Sequence, residues 1–120
     1  MVGLLYLDSL VFTAIGLVYL FAPKTGARWL LLTTDTTRAS IDVRATYGGL
    51  DLGIGLFLGL CIAHPPFRLA GIWVGLLTLS GLLGGRLLGL CLDGTEPFMI
   101  RLGMIEGILV GLHTWVLYRS

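Results

Sequence analysis

The sequence predicts an all-α fold: an integral membrane bundle of four transmembrane helices with a short interfacial segment. Three observations carry that expectation. Of 120 residues, 56% are hydrophobic, and the mean hydropathy is +0.93. Only 12% are charged, about half the ~25% of an average soluble domain. The apolar residues also gather into four runs, each close to the ~20 residues that a helix needs to cross hydrocarbon. The same figures exclude a disordered chain and an ordinary soluble domain. Eight basic and seven acidic residues leave a net charge of +1, too weak a field to gather phosphate, so no nucleic-acid partner is expected. Two cysteines build no disulfide scaffold, and they lack zinc-type spacing.

The chain reads as one domain over residues 1–120. Helix one covers about residues 3–22 and is closed by Pro23. No Lys or Arg precedes it, and Asp8 lies within it, so it is expected to remain as a helix rather than act as a cleaved signal. Helix two covers 44–63 and stops at His64-Pro65-Pro66. Helix three covers 67–92 and ends at Asp93-Gly94-Thr95; helix four covers 97–118. Pro and Gly fall at the boundaries, where a helix must stop. No run alternates like a strand, and a helix satisfies its own backbone hydrogen bonds in lipid. The one sizeable connection is Lys24–Arg44. Its stretch Ala27-Arg28-Trp29-Leu30-Leu31-Leu32 suits the membrane interface, and Asp35 or Ser40 is the expected N-cap of helix two. Lys24, Arg28 and Arg38 outnumber the bases on the other face, Arg68 and Arg119. The positive-inside bias therefore places the long loop in the cytoplasm and both termini outside.

Charges inside spans are costly, at least ~2.5 kcal/mol each at mid-helix, so those present need a reason. At ~1.5 Å per residue from the helix ends, Asp51, Arg86 and Glu106 come to similar depths on three helices, between about 9 and 13 Å in. One guanidinium can serve two carboxylates through its five donors. Arg44, Tyr47 and Asp51 share a helical face by their i, i+3, i+7 spacing, so Tyr47 is placed to join the cluster. Asp8 and His113 lie about 7 Å from the opposite face and form a second expected pair. Two readings apply to these groups: structural glue between helices that have no hydrophobic force between them, or a polar cavity for a proton, an ion or a small ligand. Asp8, His64 and His113 lack metal-ligand spacing, so no metal site is expected, and no phosphate-cradling motif is present.

The 18 glycines make up twice the usual share. Gly81, Gly85 and Gly89 recur every four residues, as do Gly103, Gly107 and Gly111. Pairs spaced four apart also occur at Gly49/Gly53, Gly55/Gly59 and Gly71/Gly75. Glycines on one helix face let two backbones approach, either inside the bundle or against another subunit.

Arg44-Ala45-Thr46-Tyr47-Gly48-Gly49-Leu50-Asp51, Gly85-Arg86-Leu87-Leu88, Asp93-Gly94-Thr95 and Glu106 together resemble a family of small bacterial four-helix membrane proteins. That family is known only as a domain of unknown function (four-three-four-five). The resemblance runs along nearly the whole chain. It implies a bacterial inner-membrane protein, and it maps Arg44, Tyr47, Arg86, Asp93 and Glu106 to the family's polar positions. It implies no activity and no cofactor.

The expected function is non-enzymatic: a small membrane subunit that associates with itself or with a larger membrane complex. Its expected partners are the lipid bilayer and other membrane proteins, with no small-molecule ligand assigned. The alternative is binding or transport of protons, ions or a small hydrophobic ligand through the Asp51, Arg86, Glu106 cluster. A third reading, an intramembrane isomerase or hydrolase using Glu106 as acid or base, has the least behind it.

Overall fold

The computed structural model describes all residues, Met1–Ser120, and contains helices and turns without strands. In chain order the helices are α1 (Val2–Phe21), α2 (Pro23–Trp29), α3 (Thr37–Val43), α4 (Leu50–Ala63), α5 (Arg68–Leu92) and α6 (Pro97–Arg119). A π-helical turn, Arg44–Gly49, joins α3 to α4, and a 3₁₀ turn, Pro65–Phe67, precedes α5. Four stretches are long and apolar enough to cross a membrane: Val2–Phe21, Thr37–Ala63, Pro65–Leu92 and Pro97–Arg119. The chain divides into two compact units, residues 2–67 and 68–120.

In the first unit, α1 runs without a charge except Asp8 and ends at Phe21, because Pro23 restricts the residue before it. Ala22 accordingly leaves the helical region (φ −132°, ψ 60°). Pro23 then opens α2 at N1, where a missing N–H costs nothing. α2 closes in a Schellman motif: the Leu32 N–H donates to the Ala27 carbonyl and the Leu31 N–H to the Arg28 carbonyl. Leu31 takes the left-handed conformation (φ 54°) that glycine usually holds at this position. Pro23, Gly26 and Ala27 are buried, while Trp29 and Leu31 are exposed. This gives a short helix packed by one side, with Lys24, Thr25, Arg28 and Trp29 exposed on the other, a mix of bases and an aromatic that suits the membrane interface.

Helix two begins earlier than its expected start at residue 44. Thr36 is the N-cap, its hydroxyl oxygen accepting from the Ala39 N–H at 3.1 Å. Neither Asp35 nor Ser40 serves in that role. The polar stretch looked like loop because it lacks apolar residues, but one good cap and helix-compatible residues after it carry the helix into Arg38 and Asp42.

α1 and the α3–α4 segment pack antiparallel through small residues. Leu20 meets Gly48, Gly16 meets Leu52, Thr13 meets Gly55 and Ser9 meets Gly59. Both helices therefore place their contact residues at the same 4-3-4 spacing. A Cβ on Gly16 would lie 2.5 Å from the Leu52 nitrogen, and one on Gly55 would lie 2.6 Å from the Thr13 nitrogen. The backbones touch, and the Ser9 hydroxyl donates to the Gly55 carbonyl at 2.8 Å. In lipid, close backbone approach and hydrogen bonds replace the hydrophobic force that binds helices in water.

In the second unit, α5 and α6 form an antiparallel hairpin joined by Asp93–Glu96. Gly94 supplies the positive φ (115°) that turns the chain. The Glu96 carboxylate caps α6 by accepting from the Met99 N–H at 2.8 Å, and Pro97 takes N1.

Candidate functional site

Each unit holds a polar centre built on an arginine. In the first, the π-helical turn Arg44–Gly49 inserts a wider turn into a membrane-length helix. Its hydrogen bonding is that of i→i+5, as with the Leu50 N–H to the Ala45 carbonyl. Such turns are rare and concentrate at functional sites. This one brings Arg44 and Tyr47 onto the end of α1. The Arg44 guanidinium donates to the Leu20 carbonyl, one of the four that a helix end leaves unsatisfied. The Tyr47 ring lies 5.3 Å from the Tyr19 ring, tilted by 32°. The Tyr19 hydroxyl donates to the Gly26 carbonyl at 3.0 Å and so links α1 to α2. Tyr19, Ala27 and Val43 form a buried cluster beneath. Gly48 makes the approach possible, since a Cβ there would lie 2.8 Å from the Leu20 nitrogen. Asp51 follows on the first turn of α4, within electrostatic range of Tyr19.

In the second, Arg86 on α5 forms a bidentate pair with Glu106 on α6. Nε donates to one carboxylate oxygen at 2.9 Å and Nη2 to the other at 2.6 Å. Nη1 donates to the Met99 sulfur at 3.0 Å. The fork geometry gives orientation as well as energy. Both side chains are largely withdrawn from the surface, at 18% and 11% exposure. Arg86 also lines a cavity of about 470 Å³ at the α5–α6 turn, together with Asp93, Thr95 and Glu96.

Of the expected cluster, the structure brings Arg86 and Glu106 together and brings Arg44 and Tyr47 to the end of α1. Asp51 belongs to the first unit, and the partners of the Arg86 guanidinium are Glu106 and Met99. Asp8 is buried in α1 at 3% exposure, and His113 is fully buried in α6. His113 Nδ1 lies 2.8 Å from the Leu109 carbonyl; because a carbonyl only accepts, Nδ1 carries the proton. No group of three or more His, Cys, Asp or Glu side chains is placed to hold a metal.

Of the two glycine stripes, only Gly103 faces the partner helix of the α5–α6 hairpin. Cβ atoms on Gly81, Gly84, Gly85, Gly107 and Gly111 would meet nothing within 4 Å. A Cβ on Gly103 would lie 3.5 Å from the Arg86 side chain, and one on Gly89 would lie 3.8 Å from an Asp93 carboxylate oxygen. The close internal approach falls instead to Gly16, Gly48 and Gly55. Sequence reasoning passed over Ser9, Thr13, Gly16 and Tyr19. The available signal was the 4-3 spacing of the small residues Ser9, Thr13 and Gly16 on α1, which no repeat of four matches. Nothing in the sequence marks Met99 as a partner of Arg86.

A family model described as a domain of unknown function, DUF4345, matches residues 2–117. The chain belongs to this family. The DUF4345 match covers both polar centres and all four apolar stretches, in agreement with the resemblance read from the Arg44–Asp51 segment, and it assigns no activity. No curated protein and no solved structure matches the chain.

Proposed function

We propose that this DUF4345 protein is a non-enzymatic subunit of the bacterial inner membrane that associates with itself or with a larger membrane complex. The observation that carries the reading is the open glycine surface of the α5–α6 unit. Gly81, Gly84, Gly85, Gly107 and Gly111 have no neighbour within Cβ reach. Glycine costs ~1 kcal/mol against alanine in a helix, so glycines at this density are expected to serve close packing. Within the α5–α6 hairpin nothing packs on these five. A neighbouring helix held by van der Waals contact is the use that lipid allows.

Native mass spectrometry of extracts in mild detergent tests the reading. The wild type is expected to carry a second copy or a larger partner. Gly85→Leu or Gly107→Leu is expected to leave a folded chain without it. A wild type found only as a partner-free monomer overturns the proposal.

A second reading, binding of a small ligand at a polar centre, draws on a different observation: the cavity that Arg86 lines beside its pair with Glu106. Both readings place the Lys24–Arg44 connection in the cytoplasm and the termini outside, on the bias of Lys24, Arg28 and Arg38.

A further inference from the structure

We propose that the cavity at the α5–α6 turn holds the headgroup of a zwitterionic, primary-amine phospholipid, with its phosphate toward Arg86 and its ammonium between Asp93 and Glu96. The inference rests on the binding reading above and names the ligand class. The cavity measures about 470 Å³ and lies where two membrane-length helices end, the depth at which phospholipid headgroups sit. Its lining is mixed: Arg86, Asp93, Thr95 and Glu96 are polar, while Leu90 and Met99 are apolar.

The charges select the ligand. Glu106 and Met99 take three of the five N–H donors of Arg86, leaving two for an acceptor in the cavity. The Arg86–Glu106 pair is neutral as a unit, so Asp93 and Glu96 make the cavity acidic. A simple anion meets two carboxylates there. A ligand carrying both signs satisfies the guanidinium and the carboxylates together. Glu96 uses one oxygen, Oε2, to cap the Met99 N–H, and its other oxygen is left to accept. Asp93 folds back over the last turn of α5, with one carboxylate oxygen 3.8 Å from where a Gly89 Cβ would be. The missing side chain at Gly89 is what keeps that space open. A primary ammonium donates up to three hydrogen bonds to these carboxylates, whereas a quaternary ammonium donates none. Thr95 adds a hydroxyl donor for a phosphate oxygen, and Leu90 offers apolar surface along which the glycerol and acyl chains leave toward the bilayer.

The test is lipid exchange on purified, detergent-solubilised protein, read by native mass spectrometry. Phosphatidylethanolamine, phosphatidylcholine and phosphatidylglycerol with identical acyl chains serve as probes. The wild type is expected to retain phosphatidylethanolamine about tenfold or more over either competitor, the worth of one charge-assisted hydrogen bond. Asp93→Asn with Glu96→Gln is expected to erase that preference at unchanged thermal unfolding, because glutamine keeps an acceptor for the Met99 N–H. Gly89→Leu is expected to lower retention of all three lipids by filling the cavity. A preference for phosphatidylglycerol or phosphatidylcholine, or an ethanolamine preference that survives the double variant, overturns the headgroup assignment while leaving the binding reading in place. Displacement of bound phosphatidylethanolamine by equimolar free phosphoethanolamine overturns the assignment to a lipid in favour of a soluble amine phosphate. A wild type that retains none of the probes overturns the proposal, while the binding reading, which does not require a lipid, stands.

Discussion

At Arg86 one side chain holds two helices and also faces a cavity, and its energetics follow from what remains when it is removed. Arg86→Met strands the Glu106 carboxylate inside the hairpin, where little water can replace the lost donors. Breaking a buried pair from one side costs about 3–5 kcal/mol. Removing both partners, as in Arg86→Met with Glu106→Leu, leaves no uncompensated charge and is expected to cost much less, since apolar replacement of a buried pair is often near neutral. Thermal unfolding in detergent measures both variants. A double variant as unstable as the single one would show that the pair does not compensate itself. The pairing was legible in sequence because depth along a helix can be counted from its ends, and Arg86 and Glu106 came out level. The counting said nothing of Met99, because a thioether carries no charge to mark it. Nor could it say which acid a guanidinium takes first. Arg86 and Glu106 face one another across a single tight turn, whereas Asp51 lies on a helix of the other unit.

The helix pair α1 and α4 shows what separates a glycine that packs from one that does not. Gly55→Ala drives a Cβ to within 2.6 Å of the Thr13 nitrogen, and Gly48→Ala drives one to 2.8 Å from the Leu20 nitrogen. Neither obstacle is a flexible side chain, so the helices must move apart. Overpacking of this kind costs about 1–3 kcal/mol. Gly53, two residues from Gly55 on the same helix, has nothing within 4 Å of its Cβ position. Gly53→Ala is expected to be neutral or stabilising by up to ~1 kcal/mol through helix propensity alone. Unfolding midpoints of the three variants check the contrast directly, and equal effects at all three positions would remove the packing role of the seam. The helices themselves were readable from apolar length and from Pro and Gly at their ends. The π-helical turn was not, because no residue type demands i→i+5 bonding. It is set by tertiary contacts, with Arg44 on the Leu20 carbonyl, Tyr47 against Tyr19 and Gly48 against Leu20. The same turn explains why Arg44 is accommodated within a helix of membrane length: its charge goes to a carbonyl that the end of α1 leaves open.

At the scale of the whole molecule, the distribution of bases bears on which way the chain faces. Lys24 and Arg28 lie on α2 between the first two spans, and Arg38 lies in the first turn of the second. On the other face are Arg68, at the start of α5, and Arg119, whose guanidinium sits 4.7 Å from the centre of the Trp115 ring. That stacking suits the aromatic belt at a membrane surface. Three bases against two favour a cytoplasmic loop, since short loops rich in Lys and Arg are retained inside. Four spans return the chain to its starting side, so the C-terminus is expected outside. Two reporters test both statements at once: Thr33→Cys in the exposed stretch after α2, and Ser120→Cys at the end of α6. Each is made with Cys91→Ser, while the fully buried Cys61 stays in place. A membrane-impermeant maleimide is expected to label Ser120→Cys on intact cells, and to label Thr33→Cys only in inverted vesicles. The reverse pattern would invert the orientation while keeping four spans. Labelling of both positions from the same side would mean an even number of crossings between them, and one of the three apolar stretches that separate them would then lie outside the bilayer.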